Sequence, residues 1–297
     1  MKTLAILTPA YNRAYIITKL YESLARQTCD DFTWYIIDDG STDETEETVK
    51  SFSNEQFNIV YVKKTNGGKH TALNEGLNLI QEELTFIVDS DDYLSDDAVE
   101  TVVNDWSKYR KDSTISGLSY YKLYTNGKIV GTQYGHSADF VDTYTNVRVN
   151  NAVTGDKAEV YRTDILRAHP FPVFAGEKFL SEAIVWNAIS KSGYSLVFIS
   201  KGIYFCEYLP DGLTSSGRKY RLQNPLGTME HAKSFLYRKV RFKYRMKYML
   251  LYTATRPFAK MSIKEAFVRL KEYKASFIVC LVPGSLLAYY WKKKYKL

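Results

Sequence analysis

Apolar runs alternate with amphipathic stretches over the first 110 residues. Residues 4–8, 34–37, 59–62 and 84–88 are short apolar runs with the length of buried strands. Helical patterns follow at residues 14–27, 41–52, 71–80 and 96–109, and in the first of them Ile16, Leu20 and Leu24 share one face. Strands and helices that alternate through short links predict an α/β fold with a mostly parallel sheet and helices on both faces.

After about residue 113 the pattern becomes irregular. Residues 115–124 and 128–134, joined by Thr125-Asn126-Gly127, predict a hairpin with an Asn-Gly turn. Residues 159–166 predict a strand that leads to a short helix, 180–190 a helix, and 196–207 an extended segment. We therefore expect mixed strands in this second half.

Charge divides the chain into two parts. Residues 1–217 contain 20 Lys and Arg against 30 Asp and Glu, whereas residues 218–297 contain 20 against 3. Chemistry that uses carboxylates is therefore expected in the first part. The basic part suits an anionic partner, such as lipid headgroups, nucleic acid or a phosphorylated substrate.

The cysteines and the first residues bear on the compartment. Cys29, Cys206 and Cys280 are scattered and odd in number, which argues against a disulfide framework or a structural zinc site and favours a reducing environment. Residues 1–13 are too weakly apolar for a signal peptide, and we interpret them as the first strand.

Three polar loops directly follow predicted strands, at residues 9–13, 38–41 and 89–92. Because ligands of such sheets bind beyond the carboxyl ends of the strands, these loops should meet on one rim. In the third loop, Asp89 and Asp91 can both face one hard cation, and Mg²⁺ or Mn²⁺ takes such oxygen ligands together with substrate phosphates. The alternative is that these carboxylates cap the helix that begins near Asp96.

Two further polar segments belong to the same half. Asp38 and Asp39 can accept hydrogen bonds from a nucleobase or a ribose, whereas residues 41–43 are expected to cap the next helix. Gly67 and Gly68 precede Lys69 at the start of a helix, where the backbone and the lysine favour an anionic group. The alternative is a solvated lysine in a flexible turn.

In this order and at a spacing of roughly 30 residues, the motifs resemble glycosyltransferase family 2 of the bacterial surface-polysaccharide type, whose enzymes have the GT-A fold. The matching segments are Thr8-Pro9-Ala10-Tyr11-Asn12-Arg13, Asp38-Asp39-Gly40-Ser41-Thr42-Asp43, residues 66–76, and Asp89-Ser90-Asp91-Asp92. The resemblance is clear over residues 1–110, fainter to about 215, and absent beyond. It implies a catalytic domain over residues 1–217, with a nucleotide-binding half (1–110), an acceptor half (111–217) and a basic helical extension (218–297).

The resemblance also implies roles for residues. Pro9, Tyr11, Asp38 and Asp39 would hold the nucleoside of a UDP-sugar, with Lys69 near the nucleotide or its phosphates. Arg13 and Ser90 belong to the same matched loops and are included among the donor-binding residues. Asp89 and Asp91 would hold Mn²⁺ or Mg²⁺, with Asp91 the direct ligand. Members of the family generally invert the anomeric centre, which requires a general base and no covalent intermediate.

The base is expected among the carboxylates of the second half. Family members often carry a Glu-Asp pair that opens a helix, with an aromatic residue or Leu about four positions on. Matching Trp186 to that position puts Glu182 on the base, although Ser181 stands where the first acid is usual. Glu177 is the second candidate. Alternatively, Glu182 caps the helix and Glu177 is solvated.

Two segments in the last third of the chain are expected to contact the substrates and the membrane. By the resemblance, residues 208–215 form a loop that can close over the substrates, and Arg218 can meet a phosphate. Turn chemistry explains the Pro-Asp-Gly in this loop equally well. The apolar residues 275–291, interrupted by Pro283-Gly284 and followed by Lys292, Lys293 and Lys294, favour an interfacial segment on anionic lipid over a buried core helix.

These observations favour sugar transfer to a glycan or lipid-linked acceptor, by a cytoplasmic protein peripheral to the inner face of the cell membrane. A nucleotidyltransferase is the first alternative, but residues 9–13 lack the glycine-rich loop that such enzymes need. A non-catalytic binder of nucleotide-sugar or membrane is the second. No nucleic-acid partner is expected, because carboxylates on the rim repel phosphate unless a metal ion lies between them.

Overall fold

The computed structural model describes residues 2–53, 55–136, 138–207, 217–270 and 272–296. Within them a single sheet of nine strands forms the centre. The strands are β1 (Leu4–Ala10), β2 (Phe32–Asp38), β3 (Asn58–Lys63), β4 (Leu84–Ile87), β5 (Tyr93–Leu94), β6 (Ile115–Tyr124), β7 (Phe140–Asp142), β8 (Lys157–Arg162) and β9 (Ser195–Cys206). Their order is β3-β2-β1-β4-β8-β6-β9-β5, and β7 pairs with β9.

Helices cover both faces of this sheet. They are α1 (Ile17–Ala25), α2 (Thr45–Lys50), α3 (Lys69–Leu79), α4 (Ala98–Tyr109), a π-helix (Thr145–Asn150), α5 (Thr163–Ala168) and α6 (Ala183–Lys191). Alternate residues of β1 point to opposite faces, so Leu4 and Ile6 join one core cluster while Ala5 and Leu7 join the other.

The predicted α/β class is confirmed, and every strand and helix predicted in the first 110 residues is present. Strands β1 to β4 pair in parallel, as expected. Antiparallel pairs enter with β8, which joins β4 to β6 and makes the whole sheet mixed. This mixture matches the expectation for the second half.

The predicted hairpin is wrong in its second strand. Beyond the turn, only one bridge remains, between Leu123 and Ile129. The reason is that β8 and β9 already occupy the two sides of β6, so a further strand finds no free edge.

The extension consists of α7 (Gly217–Gln223), α8 (Pro225–Ser234), α9 (Phe242–Thr255), α10 (Ile263–Arg269) and α11 (Lys274–Tyr295). Helices α9 and α11 pack closely at Gly284. A Cβ added to this residue would lie only 2.2 Å from Thr253 Oγ1, so the approach requires glycine. Phe235, Tyr237 and Val240 pack against Val149 and thereby join the extension to the π-helix.

Helix α11 runs through Pro283 without a break, although Pro283-Gly284 interrupts the apolar run in the sequence. By length and composition alone, this 22-residue helix could cross a membrane, and it is the one such helix in the described part of the chain.

Candidate active site

A cleft of about 990 Å³ opens at the carboxyl ends of β1, β2 and β4. The prediction that three loops meet on one rim is confirmed, since all three contribute to its lining. Of the residues expected in the site, the following line the cleft: Pro9, Tyr11, Arg13, Asp39, Lys69, Asp89, Ser90, Asp91 and Glu182. Asp38 and Glu177 are not among its lining residues.

The first two loops are fastened to each other by hydrogen bonds. The backbone N–H of Asn12 donates to Ser41 Oγ at 2.8 Å, and Asn12 Oδ1 accepts from the N–H of Thr42 at 2.8 Å. The N–H of Arg13 donates to Thr45 Oγ1 at 2.8 Å. Residues 41–43 therefore do not all cap α2 as expected, because the helix begins only at Thr45 and Ser41 and Thr42 bond to the first loop.

Asp38 and Asp39 have different environments. Asp38 is fully buried, and its carboxylate accepts from the N–H of Ser41 at 2.7 Å and from the hydroxyl of Tyr61 at 2.5 Å. The expectation that Asp38 contacts a nucleoside therefore needs correction, because this carboxylate is occupied inside the loop that shapes the cleft.

Asp39 lines the cleft and organises the glycine turn. One carboxylate oxygen accepts from Lys64 Nζ at 2.8 Å and from the N–H of Gly67 at 2.9 Å, and the other accepts from the N–H of Gly68 at 2.6 Å. These bonds fix the turn that leads into α3, whose first residue is Lys69. A Cβ on Gly68 would lie 2.3 Å from the carbonyl oxygen of Lys178, so only glycine fits this approach.

Lys69 connects the predicted metal motif to the candidate base. Its Nζ lies 2.5 Å from Asp89 Oδ1 and 2.7 Å from Glu182 Oε1. Burial alone would lower the pKa of Lys69, but the two carboxylates outweigh burial and raise it. Burial would likewise raise the pKa of Asp89, but Lys69 and Lys122 lower it to about 2. Both groups are therefore charged at neutral pH.

Asp92 and Tyr204 fix the loop of residues 89–92 through hydrogen bonds. The Tyr204 hydroxyl donates to Asp92 Oδ2 at 2.7 Å and accepts from the N–H of Asp89 at 2.9 Å. Burial raises the pKa of Asp92 to about 7. The alternative that this loop caps the next helix is excluded, because β5 separates the loop from α4, which begins at Ala98.

The donor set fits a hard divalent cation shared with phosphates. Asp89 and Asp91 line the same cleft, and burial, together with the charge of Asp89, raises the pKa of Asp91. A cation between them would relieve this repulsion. Among the described residues no group of three or more His, Cys, Asp or Glu could hold a metal. Two carboxylates that leave positions open for substrate oxygens are typical of Mg²⁺ sites in phosphate-handling proteins.

The two candidate bases are placed differently. Glu182 lies in the N-cap position of α6 and makes no side-chain capping bond, and its carboxylate faces the cleft, where it contacts Lys69. Glu177 is buried instead, and its two oxygens accept from the N–H groups of Leu226 and Gly227 at 2.6 and 2.7 Å. The alternative in which Glu182 caps its helix and Glu177 is solvated is therefore wrong. Glu177 caps helix α8, and Glu182 caps no helix.

Several residues of the cleft were missed by the motif search. Lys122 on β6 lies 3.8 Å from carboxylates of both Asp89 and Asp92, and Arg148 and Glu159 also line the cleft. None belongs to a motif: Lys122 and Glu159 reach the cleft from the paired strands β6 and β8, and Arg148 from the π-helix. Residues 208–215 lie outside the described residues, whereas Arg218 lines the cleft with its guanidinium 4.6 Å from the ring centre of Trp291.

Comparisons with known proteins identify the family of this chain. The family model described as Glycosyl transferase family 2 matches residues 5–167. Glycosyltransferase GlyA of Streptococcus pneumoniae is 32% identical over 120 residues, and the match covers 40% of this chain and 17% of GlyA. Chondroitin synthase of Pasteurella multocida is 34% identical over 112 residues, or 38% of this chain and 11% of the synthase. The chain thus spans only a small part of these relatives.

Solved structures share the fold over nearly the whole chain. Residues 1–349 of S. aureus TarS in complex with UDP-GlcNAc superpose with a TM-score of 0.67 at 20% identity, over 97% of this chain and 82% of that one. A mannosyltransferase of Pyrobaculum calidifontis in complex with GDP-Man and Mn²⁺ gives 0.59 at 20% identity, over 99% and 81%. The resemblance in sequence is therefore confirmed. This chain belongs to glycosyltransferase family 2, a family of enzymes, and has the GT-A fold.

Proposed function

We propose that the protein is an inverting, metal-dependent glycosyltransferase that moves a sugar from a UDP-sugar to a glycan or lipid-linked acceptor in cell-surface polysaccharide synthesis. One observation carries the proposal: carboxylates from separate segments, Asp39, Asp89, Asp91 and Glu182, converge on one cleft. Sequence relatives named as polysaccharide synthases, and TarS with bound UDP-GlcNAc, support the substrate class.

The donor lies along the first half of the cleft. Pro9, Tyr11 and Arg13 at the end of β1 and the loop fixed by Asp39 surround the nucleoside. Tyr11 is 45% exposed, so its ring is accessible for contact with a base. Asp89 and Asp91 would hold Mn²⁺ or Mg²⁺, and the bound ion would neutralise charge on the departing diphosphate. Ser90 lies between these two ligands and is itself buried.

Glu182 is the general base. It removes the proton from the acceptor hydroxyl, whose oxygen then bonds to the anomeric carbon as the bond to the diphosphate oxygen breaks. Lys69 holds one oxygen of Glu182, and no described residue donates a hydrogen bond to the other, Oε2. Glu177 serves this reaction only indirectly, by fixing α8.

Residues 1–217 form the catalytic domain of this proposal, and residues 218–297 hold it at the cytoplasmic face of the membrane. Helix α11 supports this role because one face packs on α9 while the other is apolar and exposed. Ile278, Val279, Val282, Leu286, Tyr289 and Tyr290 on that face are each at least 53% exposed. Lys292, Lys293 and Lys294 follow in its last turn and suit anionic headgroups.

The experiment incubates the protein with UDP-GlcNAc, UDP-glucose or GDP-mannose and Mn²⁺, and separates the nucleotide products. Release of the nucleoside diphosphate supports sugar transfer or donor hydrolysis. Release of pyrophosphate would instead indicate nucleotidyl transfer. A thermal-shift series of the same donors, with and without Mn²⁺, identifies the donor that binds.

A further inference from the structure

The cleft also contains polar groups that the proposed donor and metal roles do not use. Arg148 from the π-helix and Glu159 from β8 both line it. π-helical turns are rare and often occur at functional sites. This part of the cleft, defined by Arg148 and Glu159, is called the distal subsite below.

Arg148 has unused donors inside the distal subsite. Its Nη2 donates to the carbonyl oxygen of Gly155 at 2.6 Å. Its Nε and Nη1 are buried and have no hydrogen-bond partner among the described residues. Buried guanidinium N–H groups are costly to leave unpaired, so these donors point to an acceptor atom supplied by a ligand.

The carboxylate of Glu159 lacks hydrogen-bond donors, whereas Arg148 lacks acceptors. Among the residues that the structure describes, none donates a hydrogen bond to its carboxylate, and no cationic nitrogen lies within 4.0 Å of it. The nearby lysines are engaged elsewhere. Lys157 Nζ donates to the carbonyl oxygens of Val130 and Thr154 at 2.8 and 3.0 Å, and Lys122 lies near Asp89 and Asp92. Burial raises the pKa of Glu159 to about 7, which is consistent with this lack of partners.

The distal subsite lies on the same side of the sheet as the candidate base. Glu159 and Tyr161 are two residues apart on β8 and therefore point to the same face. The ring of Tyr161 stacks on Trp186 with centroids 4.4 Å apart. Trp186 lines the cleft and stands one helical turn after Glu182. A ligand at Arg148 and Glu159 is thus adjacent to the helix that carries the base.

Resting on the proposed function, we infer that the distal subsite binds an uncharged sugar ring of the acceptor, with neighbouring hydroxyl groups bridging Arg148 and Glu159. A hydroxyl group both accepts and donates, so it satisfies a guanidinium and a carboxylate that do not pair directly. Trp186, which lines the cleft and stacks on the buried ring of Tyr161, adds the apolar wall common in sites for small ligands. A phosphate would satisfy Arg148 but would face the Glu159 carboxylate, which disfavours an anionic group here.

The test measures sugar binding directly by saturation-transfer NMR, on protein loaded with UDP and Mg²⁺. The probes are methyl β-D-glucoside, methyl β-D-galactoside and methyl N-acetyl-β-D-glucosaminide, with glycerol 3-phosphate as the anionic comparison. The variants are Glu159→Gln, which keeps shape and removes the charge, and Arg148→Lys, which keeps the charge and removes the planar fork. Asp164→Asn, which removes an exposed carboxylate outside the cleft, is the matched control.

We expect at least one neutral glycoside to bind saturably, and each variant to weaken this binding by about tenfold or more, with UDP affinity unchanged. The control should match the wild type. The inference is overturned if UDP binds but no neutral glycoside does, if both variants bind sugars normally, or if glycerol 3-phosphate is preferred. If the wild-type protein does not bind UDP, the proposed function is overturned instead. Sugar binding that depends on Glu159 would still support the subsite in that case.

Discussion

Charged side chains differ between two regions of the molecule. These are the cleft wall, formed by residues 1–110, and the helical layer, formed by residues 218–297. In the wall, carboxylates are held by specific partners: Ser41 and Tyr61 hold the buried Asp38, and Lys69 holds the partly exposed Asp89. In the layer, Lys and Arg outnumber Asp and Glu by 20 to 3. Fixed charges suit chemistry on a small ligand, whereas excess basic charge beside an exposed apolar face suits a large anionic surface.

The largest expected effect is in the wall. Asp91→Asn should lower kcat/KM for sugar transfer on the order of 10³-fold, because the ion that offsets diphosphate charge loses a ligand. The side chain of Asp91 makes no hydrogen bond to another described residue, so the melting temperature should not fall. Asp164→Asn is the control for the loss of one carboxylate. Full activity of Asp91→Asn would remove the metal role of this loop.

Substitutions of Glu182 and Glu177 should separate a catalytic role from a structural one. Glu182→Gln should lower kcat on the order of 10²-fold with unchanged UDP affinity, because the general base is lost. Glu177→Gln should instead lower the free energy of unfolding by about 1–3 kcal/mol, because its amide NH₂ would face the N–H groups of Leu226 or Gly227. Steady-state kinetics and urea denaturation of both variants separate these outcomes. The reverse pattern would make Glu177 the base.

Packing within the layer is tested at Gly284. Gly284→Val should destabilise the α9–α11 pair by about 2 kcal/mol, because its Cβ would collide with Thr253. Ser285→Val, at the adjacent exposed position, is the matched control. Urea denaturation measures the difference. Equal stability of the two variants would contradict the close approach of these helices.

Membrane binding tests the exposed face of the layer. Val282→Asp with Leu286→Asp should weaken sedimentation with phosphatidylglycerol vesicles roughly tenfold, since apolar burial in the interface is lost. Val268→Asp, on the exposed surface of α10, is the control. Donor hydrolysis in solution should stay unchanged in both. Binding that survives the double substitution would show that another surface faces the lipid.

The smallest effect concerns His231 in the layer. Burial lowers the pKa of His231 to about 3, below the value of about 6.5 expected in the unfolded chain. The unfolded state therefore binds the proton first, and stability falls as the pH drops below about 6.5. The loss should reach about 1 kcal/mol between pH 6.5 and 5.5. His231→Gln should remove this part of the pH dependence, measured by urea denaturation at both values.

The first half of the molecule could be predicted from sequence because its signals are local. Each of the strands β1 to β4 contains an apolar run, and the three loops of the rim begin where such runs end. The two-residue strand β5 has no such signal and was not predicted. Parallel topology then brings Asp39, Asp89 and Asp91 to one rim without further information.

The rest depends on contacts between distant residues. Glu177 bonds to backbone N–H groups about 50 positions later, which no spacing rule indicates. Glu159 reaches the cleft because β8 enters the sheet between β4 and β6. Asp38 and Asp39 are identical in type and adjacent, yet only the second lines the cleft. Asp38 is the last residue of β2 and is held by Ser41 and Tyr61, whereas Asp39 lies just beyond the strand.

The most direct test of the account is the affinity of the protein for UDP, measured by calorimetry with Mn²⁺ and with EDTA. If Asp89 and Asp91 join an ion to the diphosphate, Mn²⁺ should tighten UDP binding by about tenfold or more in the wild type and have no effect in Asp91→Asn. UDP that binds the wild type equally well in EDTA would contradict the central claim.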